Sequence, residues 1–190
     1  MVARQAAAGG SRRGCLPFSW QNPRVAAPDG VEIRRLDPGE IELVRPLWES
    51  LLEHHGRVAP QLPPIRGPQD SWRRRRAEYD DWLARRGSFA LVAESGDDPV
   101  GYVLVLIEPG DDTWSTDERI AMIQTLSVDP GWRGRGVGTL LMDAADAELE
   151  RIGVRDVFVG AVATNDGALR FYERRGLSVS LVHFYGRRGD

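Results

Sequence analysis

Hydrophobic residues recur along this chain with the two-residue spacing of strands in some segments and the three-to-four-residue spacing of helices in others. Residues 31–36 fit a first strand, and a helix is expected to begin at Asp37. Pro46 interrupts the apolar stripe of this helix, which predicts either a kink or two short helices. A proline-rich loop over residues 59–68 then leads into a second predicted helix over residues 69–86.

The rest of the chain predicts a longer succession of strands and helices. Three strands, a helix, a strand, a short helix and a last strand are expected over residues 88–93, 100–107, 120–128, 136–152, 157–163, 166–175 and 179–185, in that order. Together with the first half, this order predicts an α/β fold in which helices pack on a twisted sheet.

The N-terminal residues differ from the others in composition. Residues 1–28 are rich in Ala, Gly, Arg and Pro and have few periodic apolar positions, so we expect a disordered extension. The remaining residues, 29–190, have the length of one domain. The whole sequence is 42% hydrophobic, which is ordinary for a globular protein.

Charge and residue usage exclude several classes of function. The formal net charge of -3 gives no general reason to bind nucleic acid or a membrane surface, so neither is expected as a partner. All 25 basic residues are arginine, which excludes chemistry that depends on a lysine. Cys15 is the single cysteine, so no intrachain disulfide can form, and we expect a cytoplasmic protein without a metal site.

The strongest chemical signal lies in residues 126–141, which have the pattern of a strand, a turn, a glycine-rich basic loop and an amphipathic helix. Glycine lets backbone N–H groups approach a ligand closely, and the first turn of a helix presents N–H groups and positive partial charge. Arg133 and Arg135 can add charge-assisted hydrogen bonds. The segment is therefore suited to a pyrophosphate.

Two common nucleotide-binding motifs fit this loop less well. A Walker A loop needs a lysine, and the chain has none. A dinucleotide-binding fingerprint needs its third glycine one position after Gly138, and it normally follows an early strand. The remaining alternative is a tight turn that binds no ligand. In that case the arginines and the alternating glycines would have no obvious role in packing.

The run Arg133-Gly134-Arg135-Gly136-Val137-Gly138 resembles the Gln/Arg-x-x-Gly-x-Gly/Ala signature of the GNAT superfamily of N-acetyltransferases. The resemblance implies a mixed, mostly antiparallel twisted sheet flanked by helices, which is the GNAT acyl-CoA acyltransferase fold. It also implies acetyl-CoA as cosubstrate. The cofactor-binding residues would be those of a splayed strand and of the pyrophosphate loop: Leu126, Ser127, Val128, Arg133, Gly134, Arg135, Gly136, Val137, Gly138 and Thr139.

Residues 165–177 support the same resemblance, because they are similar to the family's Asn-x-x-Ala-x-x-Phe-Tyr-x-x-x-Gly-Phe element, with Leu177 in place of Phe. Asn165 suits a helix N-cap and Gly176 suits the end of that helix. Tyr172 follows Asn165 by about two helical turns, so both lie on one face. The resemblance implies that Asn165 contacts the cofactor and that the Tyr172 hydroxyl protonates the departing thiolate.

The implied reaction is direct transfer of an acetyl group to a primary amine of a small molecule or of a peptide or protein. Glu118, just before the cofactor strand, is the candidate general base, although a solvated loop acid would leave the same pattern. His54 and His55 stand at a predicted helix end, where the helix dipole favours histidine, and they are interpreted as structural.

A function of another class stays open. The chain could be a non-catalytic acyl-CoA-binding module that regulates a partner, although such a module has no need of Tyr172. The acceptor is expected to be chosen by loops around residues 54–70 and 108–118, which carry no signature. A homodimer also remains open.

Overall fold

Five strands of the described chain form one open sheet, and their order in space is their order in the sequence. They are β1 (Val31–Arg35), β2 (Phe89–Ser95), β3 (Asp98–Pro109), β4 (Arg119–Val128) and β5 (Asp156–Val159). Neighbouring strands are antiparallel except β4 and β5, which are parallel. The computed structural model describes Pro28 and residues 30–188, so the predicted extension over residues 1–28 lies outside the described residues except for Pro28.

Helices flank both faces of the sheet: α1 (Arg45–Val58), α2 (Pro68–Leu83), α3 (Val137–Ile152) and α4 (Asp166–Arg174). Short 3-10 helices, Pro38–Val44 and Pro130–Trp132, stand before α1 and α3. This arrangement confirms the predicted α/β fold with a mixed, mostly antiparallel sheet flanked by helices. In the part of the chain that the structure describes, no helix is both long and apolar enough to cross a lipid bilayer.

The predicted break at Pro46 takes the form of two successive helices. The 3-10 helix ends at Val44 and α1 begins at Arg45, which places Pro46 in the first turn of α1. Backbone N–H groups in a first turn have no acceptor within the helix, so the N–H that proline lacks is not missed there.

Two apolar cores lie on opposite faces of the sheet, because successive side chains of β2 and β3 point to opposite sides. The face under α3 buries Phe89, Leu91, Val103 and Val105, and the face under α1 and α2 buries Ala90, Val92, Tyr102 and Leu104. Since helices cover both faces, these strands have continuous apolar sequences and not alternating ones.

A buried polar cluster ties α2 to the centre of the sheet. The Tyr79 hydroxyl of α2 lies 3.0 Å from the Tyr102 hydroxyl on β3 and 2.6 Å from Thr125 Oγ1 on β4. Burial raises the pKa of both tyrosines, so they remain neutral hydrogen-bonding groups. The cluster therefore fixes the part of β4 that leads into the predicted cofactor residues.

The predicted last strand over residues 179–185 is wrong. After α4 the chain turns at Gly176, whose φ is 88°, and residues 178–188 have no regular secondary structure. Their apolar side chains stay exposed, from 51% for Tyr185 to 95% for Phe184. The composition favours a strand, but a strand also needs a partner, and β5 at the sheet edge has only 4 residues.

Two other boundaries differ from those expected. β5 spans Asp156–Val159, whereas the pattern predicts a strand over residues 157–163, and α2 ends at Leu83, whereas the pattern extends to Arg86. In both cases the sequence pattern continues past the last residue of the element. The ends of helices and strands are the positions that are hardest to predict.

Gly101 on β3 lies in close contact with side chains of α3. A Cβ atom added there would meet Leu141 Cδ1 and the Ser127 carbonyl oxygen, each at 3.1 Å. We expect Gly101→Ala to lower the free energy of unfolding by about 1–3 kcal/mol, as overpacked sites do, in urea denaturation. Gly39→Ala is the control, since nothing lies within 4 Å of an added Cβ there. Equal stability of the two variants would contradict the close approach.

Candidate functional site

β4 and β5 separate before β4 ends. Their pairing runs from Ile120 and Asp156 to Ile123 and Val159, whereas β4 continues to Val128. The register between β3 and β4 shifts by one residue at the same point, so that Gln124 forms a β-bulge. A bulge bends its strand and increases its twist. Beyond Ile123, the edge of β4 that faces β5 therefore opens, as the resemblance implies.

A cleft of about 580 Å³ occupies this opening. Its walls come from the end of β4, the loop that follows, the first turn of α3, the start of α4 and the last turns of α1. The lining includes most of the predicted site residues: Leu126, Ser127, Val128, Arg133, Gly134, Gly136, Gly138, Thr139, Asn165 and Tyr172. A smaller cleft of about 380 Å³ lies between β5 and residues 176–181, and Tyr172 lines both.

The loop before α3 adopts a conformation that requires glycine. Gly134 and Gly136 have φ values of 73° and 92°, in the left-handed region that other residues rarely adopt. Gly136 is the N-cap of α3, and the first backbone bond of the helix runs from Leu140 N to the Gly136 carbonyl. The N–H groups of the first turn are consequently left for a ligand. Val137 contributes only its backbone, because its side chain is buried in the core.

The two arginines of the loop already have contacts within the protein. Arg133 Nε donates a hydrogen bond to the Val128 carbonyl at 3.0 Å. The Arg135 guanidinium lies 5.2 Å from the ring centroid of Trp132, and this side chain does not line the cleft. Arg133 thus already donates to a carbonyl group that the resemblance assigns to the cofactor.

α4 places its two predicted site residues together. Asn165 Oδ1 accepts a hydrogen bond from Ala168 N at 3.2 Å and caps the helix, and Tyr172 lines the same cleft two turns later. Burial raises the pKa of Tyr172 to about 12. The Tyr172 hydroxyl therefore keeps its proton at neutral pH and is a donor.

A buried ion pair fixes α4 against α3. The Arg175 side chain, which is 2% exposed, donates to Asp143 Oδ1 and Asp146 Oδ2, each at 2.7 Å. Burial raises the pKa of Asp146 to about 6, against the opposing effect of Arg175. With a pKa of about 6, Asp146 is mainly charged at pH 7. The hydrogen bonds from Arg175 help to orient the helix turn that carries Tyr172.

Glu118, the predicted general base, is not brought to the cleft. It lies exposed immediately before β4, whereas Leu126 lies near the opposite end of that strand. Eight residues of extended chain separate the two positions, which corresponds to about 26 Å at 3.3 Å per residue. In the sequence, Glu118 stands just before the cofactor strand. The sequence does not show that most of the length of β4 separates Glu118 from the cofactor residues.

Two residues of α1 line the cleft although the sequence pattern does not assign them to it. They are Leu51 and His54, which stand three positions apart and so share one helical face. Their spacing is visible in the sequence, but nothing there shows which end of which helix reaches the opening. Of the two histidines interpreted as structural, His54 lines the cleft and His55 does not.

The environment of His54 favours its neutral form. Desolvation lowers the pKa of this side chain, and the positive charges of Arg133 and Arg57 lower it further. The Asn165 side chain acts in the opposite direction, with a smaller effect than desolvation or Arg133. Within the described residues, no group of three or more His, Cys, Asp or Glu side chains is arranged to hold a metal ion.

This fold, with its opening beside a glycine-rich helix start, is that of an acetyltransferase of the GNAT type. The family model described as the acetyltransferase (GNAT) family matches residues 48–177, and the chain belongs to this family.

Individual relatives agree with this assignment. A mycothiol acetyltransferase of Geodermatophilus obscurus is 29% identical over 169 residues, which cover 87% of this chain and 50% of that protein. The chain spans about half the length of the curated relatives it matches. A solved GCN5-related N-acetyltransferase from Ralstonia eutropha has a TM-score of 0.63 at 25% identity, covering 84% of this chain and 100% of that one.

A second solved structure shares the fold. An aminoglycoside N-acetyltransferase in complex with CoA has a TM-score of 0.64 and covers 84% of this chain and 95% of its own. Its sequence is 18% identical, so the likeness concerns the fold alone.

Gly138, in the first turn of α3, gives a test of the cleft. An added Cβ would lie 3.7 Å from Val128 Cγ2 and 3.8 Å from Phe171, which are ordinary contacts, so Gly138→Ala should be tolerated. Gly138→Trp would fill the space beside the helix start. We expect Gly138→Trp to weaken acetyl-CoA binding at least about tenfold, or about 1.4 kcal/mol, in calorimetric titration. Unchanged affinity in a folded Gly138→Trp variant would separate this cleft from acetyl-CoA.

Proposed function

We propose that this protein transfers the acetyl group of acetyl-CoA to a primary amine. The observation that carries the proposal is the convergence of the open β4 edge, the bare helix start of α3 and the Tyr172 hydroxyl on one cleft. The family assignment supports the acetyl group as the group transferred. The mycothiol acetyltransferase relatives support a small-molecule acceptor. The N-alpha-acetyltransferase 60 relatives make a peptide amine the other acceptor class to be tested.

The residues present suit an acyl-CoA. The first-turn N–H groups of α3, with the charge of Arg133 and Arg135 nearby, would hold the pyrophosphate. The absence of side chains at Gly134 and Gly136 lets these groups approach it. The open edge of β4 from Leu126 to Val128, including Ser127, would hold the pantetheine arm by backbone hydrogen bonds. When bound, acetyl-CoA supplies an activated acetyl thioester.

Stabilisation of the transition state is assigned to the backbone of β4. A backbone N–H near Leu126 would polarise the thioester carbonyl, which is the arrangement of an oxyanion hole. Val137 and Thr139 would contribute backbone groups of the helix start, and Asn165 would border the cofactor from the side of α4.

Tyr172 is assigned the proton transfer to sulfur. A hydroxyl with a pKa of about 12 is a weaker acid than an alkyl thiol. Taking a thiol pKa of about 8.5, simple donation to the thiolate is uphill by about 5 kcal/mol. We therefore assign Tyr172 a relay, in which its hydroxyl donates one proton to sulfur while its oxygen accepts a proton from the acylated nitrogen.

The primary test is calorimetric titration of the purified protein with acetyl-CoA, followed by assays of thiol release. CoA, ATP and NAD serve as ligand controls, and kanamycin and trialanine represent the two acceptor classes. We expect selective binding of acetyl-CoA and CoA, and thiol release that depends on an amine. Failure of the folded protein to bind acetyl-CoA would refute the proposal. Binding without turnover on a broad amine panel would instead favour an acyl-CoA-binding regulatory module.

Substitution of Tyr172 tests the relay. Tyr172→Phe removes the hydroxyl and keeps the ring, so we expect kcat to fall about 100-fold, within the usual range for proton-transfer groups. Acetyl-CoA affinity should change little, because the phenyl ring fills the same space. Tyr185→Phe, at a position that is 51% exposed, is the matched control. A normal kcat for Tyr172→Phe, measured by thiol release, would remove Tyr172 from the reaction.

A further inference from the structure

We infer that His54 is the general base that takes a proton from the ammonium group of the acceptor, an inference that rests on the proposed function. His54 lies in the penultimate turn of α1 and lines the same cleft as Leu126 and Tyr172. His54 thus belongs to α1, whereas Tyr172, the proposed proton donor to sulfur, belongs to α4.

The composition of the cleft wall singles out His54. Among the described residues that line the cleft, none is an aspartate or a glutamate. The ionisable side chains of the wall are the guanidinium groups of Arg133, Arg174 and Arg175, the Tyr172 hydroxyl and the His54 imidazole. Guanidinium groups do not accept protons, and a neutral phenol is a poor acceptor. His54 is the group of this wall that can serve as a base near neutral pH.

Hydrogen bonds from two distant segments hold α1, one at its first turn and one at its last residue. Ser127 Oγ on β4 donates to the Leu47 carbonyl at 3.0 Å. The Thr164 hydroxyl, in the segment before α4, donates to the Val58 carbonyl. These bonds attach α1 to the cofactor strand and to the start of α4, which places His54 beside the Asn165 side chain. The position of His54 is therefore set by the same elements that build the cleft.

The charges around His54 keep the imidazole unprotonated, as a base requires. Arg57 on α1 and Arg133 in the loop after β4 repel a proton, and desolvation has a larger effect in the same direction. Asn165 at the start of α4 is the opposing influence, and the neighbouring His55 is itself held at a lowered pKa by burial.

Two side chains, His54 and Tyr172, account for both protons that leave the acceptor nitrogen. His54 takes one proton from the R–NH₃⁺ acceptor and later releases it to solvent. The neutral nitrogen forms the N–C bond, the C–S bond breaks, and the electron pair of that bond goes to sulfur. The second proton of the nitrogen passes to the Tyr172 oxygen as the Tyr172 hydroxyl proton passes to sulfur. The products are the acetamide, free CoA thiol and one proton in solution.

The kinetic test compares His54→Gln with His55→Gln over pH 5–10. The glutamine of His54→Gln keeps a hydrogen-bonding side chain but cannot act as a base, whereas His55 lies outside the cleft wall. We expect His54→Gln to lower kcat/KM about 100-fold at pH 7 with acetyl-CoA affinity retained. The loss should shrink at high pH, where the amine is already deprotonated, and His55→Gln should behave as the wild type does. A loss that is equal at every pH, or no loss, overturns the inference.

A second measurement needs no turnover. The His54 imidazole is followed by NMR titration, with its signals identified by their absence in His54→Gln, for the protein alone and with CoA bound. We expect His54 to titrate below the ordinary histidine value of about 6.5. An imidazole that remains protonated at pH 7 overturns the base role, because it cannot take a proton from the acceptor, even if the wild type proves inactive with kanamycin and trialanine. Wild-type inactivity without acetyl-CoA binding, by contrast, refutes the proposed function.

Discussion

The early end of the pairing between β4 and β5 is the constraint on which the site depends. The two strands pair over four positions and then part at Ile123 and Val159, where the Gln124 bulge turns β4 away. A sheet that stayed closed would bury its edge groups in backbone hydrogen bonds and would separate the layers above and below it. Because the sheet opens, residues from helices on both of its faces reach one cleft.

Each wall of the opening is held by a contact that is remote from it in sequence. Arg175 ties α4 to α3 through Asp143 and Asp146, and Ser127 ties β4 to α1 through the Leu47 carbonyl. The relative positions of the cleft residues therefore depend on packing that spans the domain and not on the loop motif alone. Loops can vary around such a framework without loss of the site.

The parts of the site that could be predicted from sequence are those with a local cause. The motifs that resemble the family mark Gly134, Gly136, Asn165 and Tyr172 as site residues. Their local causes are the positive φ of the two glycines and the helical periodicity that puts Asn165 and Tyr172 on one face. Glu118 and His54 illustrate the opposite case. Whether either side chain reaches the cleft depends on the length of a strand and on how a helix docks. The neighbouring residues determine neither of these.

The error at the predicted last strand has the same cause. Residues 179–185 have the apolar content of a strand, but strand formation is a pairing equilibrium with a partner that sequence patterns do not identify. The α/β class was predictable because it follows from the order of many elements, so an error in one of them leaves the class unchanged.

The open edge of β4 has a consequence for the cohesion of the molecule. Beyond Ile123, β4 has no neighbouring strand on the side of β5, so a ligand with amide groups could hydrogen-bond to this edge as a strand would. Such a ligand binds the folded chain only, so it adds to the stability of the fold by mass action. With such a ligand bound, the protein should therefore unfold at a higher temperature and resist proteolysis for longer than it does alone.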